Sequence, residues 1–109
     1  MTLKRLHIQV VGQVQGVGFR PFVYRLADEL NLTGWVLNDP RGVTIEIQGS
    51  PDAVGRFGPR LAAELPPLAS IAHSDSAEMP PLPDEMSFEI RPSLGGELAD
   101  AQVTVDTAV

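Results

Sequence analysis

The chain has 109 residues and no cysteine, which excludes a disulfide framework and any thiolate metal site. Histidine is nearly as scarce. His7 and His73 lie too far apart in sequence to form a recognisable ligand pair, so no protein metal site is expected. Positive charge is also in short supply, with 8 Lys and Arg against 14 Asp and Glu and a net charge of -6. The overall field therefore repels nucleic acid and anionic membranes, and any bound anion must be held by a local device. No apolar run approaches the length of a membrane span. The opening stretch MTLKRLHIQVVGQVQG is interrupted by His7, Gln9 and Gln13 and is followed by no small-residue cleavage site. A cytoplasmic protein with no nucleic-acid and no membrane partner is the expectation.

What is present suits one folded domain. A hydrophobic fraction of 43% and a charged fraction of 20% are those of an ordinary globular chain. A chain of this size buries roughly two thirds of its unfolded surface around a single core. Leu6, Ile8 and Val10 alternate with His7, Gln9 and Val11, predicting a half-buried strand that ends where Gly12 opens a glycine-bearing loop. From Pro21 to about Leu30 the apolar residues Phe22, Val23, Leu26, Ala27 and Leu30 recur at helical spacing, with Pro21 in a tolerated first-turn position. Gly34 is expected to end that helical region. Trp35 to Leu37 then form a short strand, Asn38 to Gly42 a turn, and Val43, Ile45 and Ile47 the alternating second arm of a hairpin.

Ser50-Pro51-Asp52 reads as a second helix start, and Val54, Phe57, Leu61 and Leu65 supply its apolar face. Pro59 in its interior removes a hydrogen bond, so this helix is expected to be kinked or split near Phe57 to Arg60. Ile71 to Met79 can form another strand, Pro80 to Pro83 a stiff connection, and Phe88 with Ile90 a last short strand. The order is βαββαβ plus a short edge strand. It predicts an α+β, ferredoxin-like α/β plait in which an antiparallel sheet carries two helices on one face. The domain is expected to occupy residues 1–92, leaving 93–109 as a C-terminal tail and linker.

In that topology strands one and two run parallel with strand three between them. The loop after strand one and the end of strand two then share one edge, which places Asn38 beside the loop GQVQGVGFR, residues 12 to 20. Glycines at 12, 16 and 18 permit converging N–H groups, and the following helix points its positive end at the same spot. Arg20 adds a planar fork of donors suited to two phosphate oxygens. On the glycines alone a plain turn is the commoner reading, and asparagine at a hairpin end is commonly a turn former. Neither the GxGxxG fingerprint nor a Walker loop is present, so a nucleotide site is not supported.

GQVQGVGFR followed by GWVLNDPRGVTIEIQG resembles the acylphosphatases, over the body of the chain from strand one to Phe88. The variant GVGFRPFVYRLA, with ELPPLASI and SLGGEL, is most similar to the N-terminal domain of the HypF family of hydrogenase-maturation carbamoyltransferases. The ending TVDTA resembles the lead-in to that family's zinc-finger-like modules. The resemblance implies hydrolysis of an acyl phosphate, carbamoyl phosphate in particular, to carbamate and phosphate, with no cofactor. It implies Arg20 as the phosphate-binding arginine, Asn38 as the residue that positions the attacking water, and Gln13, Val14, Gln15, Gly16, Val17, Gly18, Phe19 and Arg20 as the backbone cradle. The implied partners are downstream zinc-finger-like and carbamoyl-transfer domains and a hydrogenase maturation partner. Asp39 follows Asn38 where simple acylphosphatases often have threonine, and its carboxylate is expected to point away from the cradle.

A non-catalytic module that only binds carbamoyl phosphate within a larger enzyme is the alternative. An RNA-binding plait is weakened by the acidic charge and the missing aromatic motif, and a metal chaperone by the absent cysteines. Trp35 and Phe22 are expected to face the core. The basic residues Lys4, Arg5, Arg25, Arg56 and Arg60, scattered among acids, read as a solvated face.

Overall fold

In the computed structural model of the protein, residues 2–92 are described; the expected tail, residues 93–109, lies outside them. The chain runs β1 (Lys4–Gln13), α1 (Phe19–Glu29), β2 (Thr33–Asp39), β3 (Gly42–Gly49), α2 (Pro51–Ala63), β4 (Ser70–Met79) and β5 (Phe88–Ile90). The sheet order is β4-β1-β3-β2-β5. β3 pairs antiparallel with both β1 and β2, so β1 and β2 are parallel with β3 between them. The result is the α+β ferredoxin-like plait. Its sheet is mixed rather than wholly antiparallel, because β5 runs parallel to β2.

Register follows burial. Leu6, Ile8 and Val10 lie opposite Ile47, Ile45 and Val43, and Val36 lies opposite Ile45. These residues face the helices and merge with Phe22, Val23 and Leu26 of α1 and Val54, Phe57 and Leu61 of α2 in one core. Burying this apolar face against two helices is the main favourable term, because side chains at every second strand position leave water together.

Several boundaries differ from expectation for identifiable reasons. β1 continues through Gly12 to Gln13, because β4 keeps pairing with it beyond a register shift between Val11 and Gly12. α1 begins at Phe19, two residues before Pro21, so Arg20 is helical rather than part of the loop. It ends at Glu29 with Leu30 as its C-cap, and Asn31 takes the left-handed conformation at φ 56° that lets the chain leave. Gly34 is not the stop signal. It sits inside β2 at φ 135°, where a Cβ would lie 1.9 Å from the Glu46 carbonyl oxygen, so the close approach of β3 demands glycine. α2 is continuous from Pro51 to Ala63 despite Pro59. Buried Val54, Phe57 and Leu61 hold it on the sheet, and the carbonyl facing the proline ring belongs to Gly55.

The opposite face of the sheet holds what the sequence reading misplaced. Trp35 lies there rather than in the core, because Gly34 and Val36 take the inward positions, and the Arg91 guanidinium stacks 4.9 Å from its ring centroid. Arg5 is not solvated; it is 1% exposed. β4 and β5 are at opposite edges, and the helices occupy one face, so the connection between them crosses the other face. Arg5 ties that crossing down, donating to Glu46 at 2.8 Å and to both carboxylate oxygens of Glu85 at 2.8 and 3.2 Å. Thr33 also donates to Glu85, and Gln48 exchanges two hydrogen bonds with the backbone of Leu82. His7 pairs with Glu46 at 2.8 Å.

Burial alone would push the Glu46 carboxyl up, but the hydrogen bonds from His7 and Arg5 outweigh it and hold the group below the ordinary glutamate range. A depressed folded-state value contributes stability that is present above the unfolded value near 4.5 and is lost as pH falls through the folded one. Urea midpoints measured from pH 6 downward should therefore fall more steeply below about 4.5 in the wild type than in Glu46→Gln. Parallel curves would remove Glu46 from the acid response.

Candidate active site

The loop between β1 and α1 is pinned at both ends and free in the middle. Val14 and Phe19 are each 1% exposed and belong to the core, whereas Gln15, Gly16 and Gly18 are exposed. Gly16 and Gly18 adopt φ 73° and 79°, with open space where a side chain would start. Both therefore carry backbone conformations that L-residues disfavour, for a reason other than crowding.

Among the described residues no side chain occupies the N-terminus of α1. Gly18 is the N-cap, no side chain caps the helix, and its first turn has no acidic residue. α2, in contrast, is capped by the Ser50 hydroxyl, which accepts from the Ala53 N–H, and has Asp52 in its first turn. The Phe22 N–H already donates to the Gly18 carbonyl, and Pro21 has none. The free first-turn donors are thus those of Phe19 and Arg20, pointing with the helix dipole toward the loop. Such a helix start carries partial positive charge that the side chains around it do not offset, in a chain whose net charge is -6.

Parallel β1 and β2 bring their C-terminal ends to one edge of the sheet, where the loop meets the β2–β3 turn. Gly12 to Gln15 and Pro40 to Gly42 line one cleft there. The Gln15 side-chain amide donates to the carbonyls of Asp39 and Gly42, each at 2.8 Å. Asn38 lies at the same end of β2 and on the helix-facing side, since it is opposite Val43. Val43 is apolar and cannot bond it. The Asn38 Oδ1 is buried and has no hydrogen-bond partner among the described residues, a state that costs free energy unless a ligand or water relieves it. The Arg20 guanidinium is half-buried and donates to the Arg91 carbonyl at 3.4 Å. Arg91 follows β5 and bonds through its N–H to Val36, two residues before Asn38. The Arg20 guanidinium is thus linked through Arg91 to β2 two residues before Asn38, whose side chain faces the helices.

Asp39 points the other way, as strand alternation requires. Its carboxylate accepts from the N–H groups of Arg41 and Gly42 at 2.8 and 3.0 Å, from Gln9, and from the Thr44 hydroxyl in a short contact. Burial opposes its ionised form, but these four donors prevail and keep the carboxyl below the ordinary aspartate range. The charge is spent in closing the turn. Gln9 and Thr44 were missed in the sequence, although their place on the polar alternation of β1 and β3 was the available signal.

A five-stranded sheet with two helices on one face and an uncapped helix N-terminus behind a glycine loop defines the class as a small α+β ferredoxin-like plait. The acylphosphatase family model matches residues 6–90, and the chain belongs to that family. It is 50% identical over 97 residues to the carbamoyltransferase HypF of Rhizobium leguminosarum bv. viciae, a match that covers 89% of this chain and 12% of that protein. It is 40% identical over 89 residues to an acylphosphatase of Geobacillus thermodenitrificans, covering 81% of this chain and 94% of that one. Among solved structures, full-length HypF in a phosphate- and nucleotide-bound form superposes with a TM-score of 0.79 at 32% identity, over 87% of this chain and 13% of that one. The chain thus spans nearly the whole of a free acylphosphatase and about an eighth of a HypF protein. No helix among the described residues is long and apolar enough to cross a membrane.

The glycines separate by geometry. Gly16→Ala and Gly18→Ala meet no atoms and should each cost only the left-handed backbone penalty, about 1–2 kcal/mol. Gly12→Ala would set a Cβ 2.3 Å from the Ser70 carbonyl oxygen and should cost clearly more. Urea unfolding of the three variants checks the order, and equal losses would contradict it.

Proposed function

We propose that this domain hydrolyses an acyl phosphate, and that its substrate is carbamoyl phosphate, cleaved to carbamate and inorganic phosphate. The buried, unpartnered Oδ1 of Asn38 beside an uncapped helix N-terminus is the observation that carries this reading. The backbone N–H groups from Gln13 to Arg20 cradle the phosphate, and the Arg20 guanidinium neutralises two of its oxygens. Leaving the Arg91 carbonyl removes one long hydrogen bond, a small cost beside a charge-assisted pair. Asn38 accepts a hydrogen bond from the attacking water and aims its lone pair at phosphorus.

The chemistry asks little more of the protein. As the new P–O bond forms, the bond to the acyl oxygen breaks and carbamate departs as a weak base that needs no general acid. Asn38 has no proton-accepting group that titrates at ordinary pH, so the water proton passes to a phosphate oxygen. Positioning and charge stabilisation supply the rate enhancement, as is general for phosphoryl transfer. Asp39, turned to the other face, does not oppose the dianion.

The choice of carbamoyl phosphate is supported by the similarity to proteins named carbamoyltransferase. Under this reading residues 1–92 are the catalytic domain and 93–109 a linker. In a HypF-type protein acting in hydrogenase maturation, downstream domains take the carbamate onward. The small share of the HypF chain that is covered favours one other reading, a module that binds carbamoyl phosphate without turning it over.

Arg20→Ala should abolish both phosphate binding and turnover, whereas Asn38→Ala should remove turnover and leave phosphate affinity within about twofold of wild type. Phosphate release from carbamoyl phosphate and isothermal titration with inorganic phosphate measure the two. Undiminished hydrolysis by Asn38→Ala would overturn the water-positioning role, and ligand binding without turnover by the wild type would establish the binding module.

A further inference from the structure

The side chain of Gln15 has a place in the site that its backbone role does not require. Four residues, Gln15 to Gly18, separate the two buried anchors of the loop, and two of them are glycines with positive φ. Such a segment loses much conformational entropy when it is ordered. A cradle of N–H groups aids binding and catalysis only if it is ordered before the anion arrives. Some interaction must therefore hold it.

A primary amide carries two N–H donors, and the two bonds of Gln15 Nε2 go to the Asp39 and Gly42 carbonyls. These residues are cross-strand partners that close the β2–β3 turn. The receiving side is itself rigid. The Asp39 carboxylate accepts from the N–H groups of Arg41 and Gly42, and is held by Gln9 and Thr44. Gln15 thus joins the first exposed residue of the loop to the residue directly after Asn38.

We propose that the Gln15 side chain is a positioning residue, a latch that fixes the distance between the phosphate cradle and Asn38 by tying the loop to the β2–β3 turn. This rests on the hydrolase reading for its catalytic consequence and on geometry alone for its structural one. Gln15 does not touch the reacting atoms through its side chain; it acts through the loop it holds and through the turn that carries Asn38. Asp39 is the anchor of the same device, which gives its carboxylate a use without contact with substrate.

The test compares the full chain with Gln15→Met, which keeps length and loses both donors, and with Gln15→Glu, which places a carboxylate against two carbonyls. In the ligand-free proteins, amide hydrogen exchange read by NMR should speed up at residues 15–18 by roughly tenfold or more in both variants, the scale expected for losing two hydrogen bonds of ordinary net strength. Exchange in β1 and β3 should speed up by no more than that factor, and the urea midpoint should fall only by the equivalent of the two lost bonds. Titration with inorganic phosphate should weaken by a comparable factor, and with carbamoyl phosphate KM should rise more than kcat falls. Unchanged loop exchange together with unchanged phosphate affinity would overturn the latch. Loss of protection throughout the sheet would also overturn it, in favour of a general structural role. A wild type that hydrolyses no acyl phosphate would sink the hydrolase reading alone, because the exchange and phosphate measurements decide the latch without turnover.

Discussion

Everything at this site depends on β3 pairing antiparallel with both β1 and β2. That arrangement makes β1 and β2 parallel and delivers the end of each to one edge of the sheet. The α1 crossover then has to leave from the same edge, with its N–H groups aimed back over it. A loop, a helix start and the last residues of β2 become neighbours mainly through pairing made along the length of the strands. Backbone N–H groups at that helix start are thereby the feature on which the proposed anion binding rests, in a protein whose net charge is -6.

The two faces of the sheet divide the work. Toward the helices β1, β2 and β3 present an apolar core and, at the end of β2, Asn38, whose Oδ1 has no hydrogen-bond partner among the described residues. Toward the other face they present paired polar groups. One set, around Arg5, Glu46 and Glu85, straps down the connection from β4 to β5, a connection that must cross the sheet because those strands occupy opposite edges. A second set, around Asp39, stiffens the turn that carries Asn38. A single peptide bond separates the inward Asn38 from the outward Asp39, so the strand itself turns the anionic side chain to the face opposite Asn38.

Much of this was legible residue by residue. Alternation in Leu6 to Val11 and Val43 to Ile47, helical spacing from Phe22 to Leu30, and the turn formers at 38 to 42 predict the strands and helices that are found. The order of elements alone leads to Asn38 beside the glycine loop. The errors cluster where a long-range partner decided the outcome. Gly34 looked like a stop signal and is a contact with the Glu46 carbonyl; Pro59 looked like a break and sits in a helix held by Phe57 and Leu61. Arg5 looked solvated and is the most buried charge, because nothing local announces that the segment around Glu85 will return to cover it.

The sequence by itself determined the periodicities, the positions able to take positive φ, the absence of thiolate chemistry and the family resemblance, since each depends on residue type and near-neighbour spacing. Only the tertiary structure decided which polar groups are left without partners and which are consumed. That Asn38 Oδ1 is orphaned, that the Asp39 carboxylate is saturated and that both Gln15 donors are spent on the facing turn are results of packing between segments 24 or more residues apart in the last case. Hydrogen-bond satisfaction is a property of the whole fold, because each partner is supplied by a segment distant in sequence.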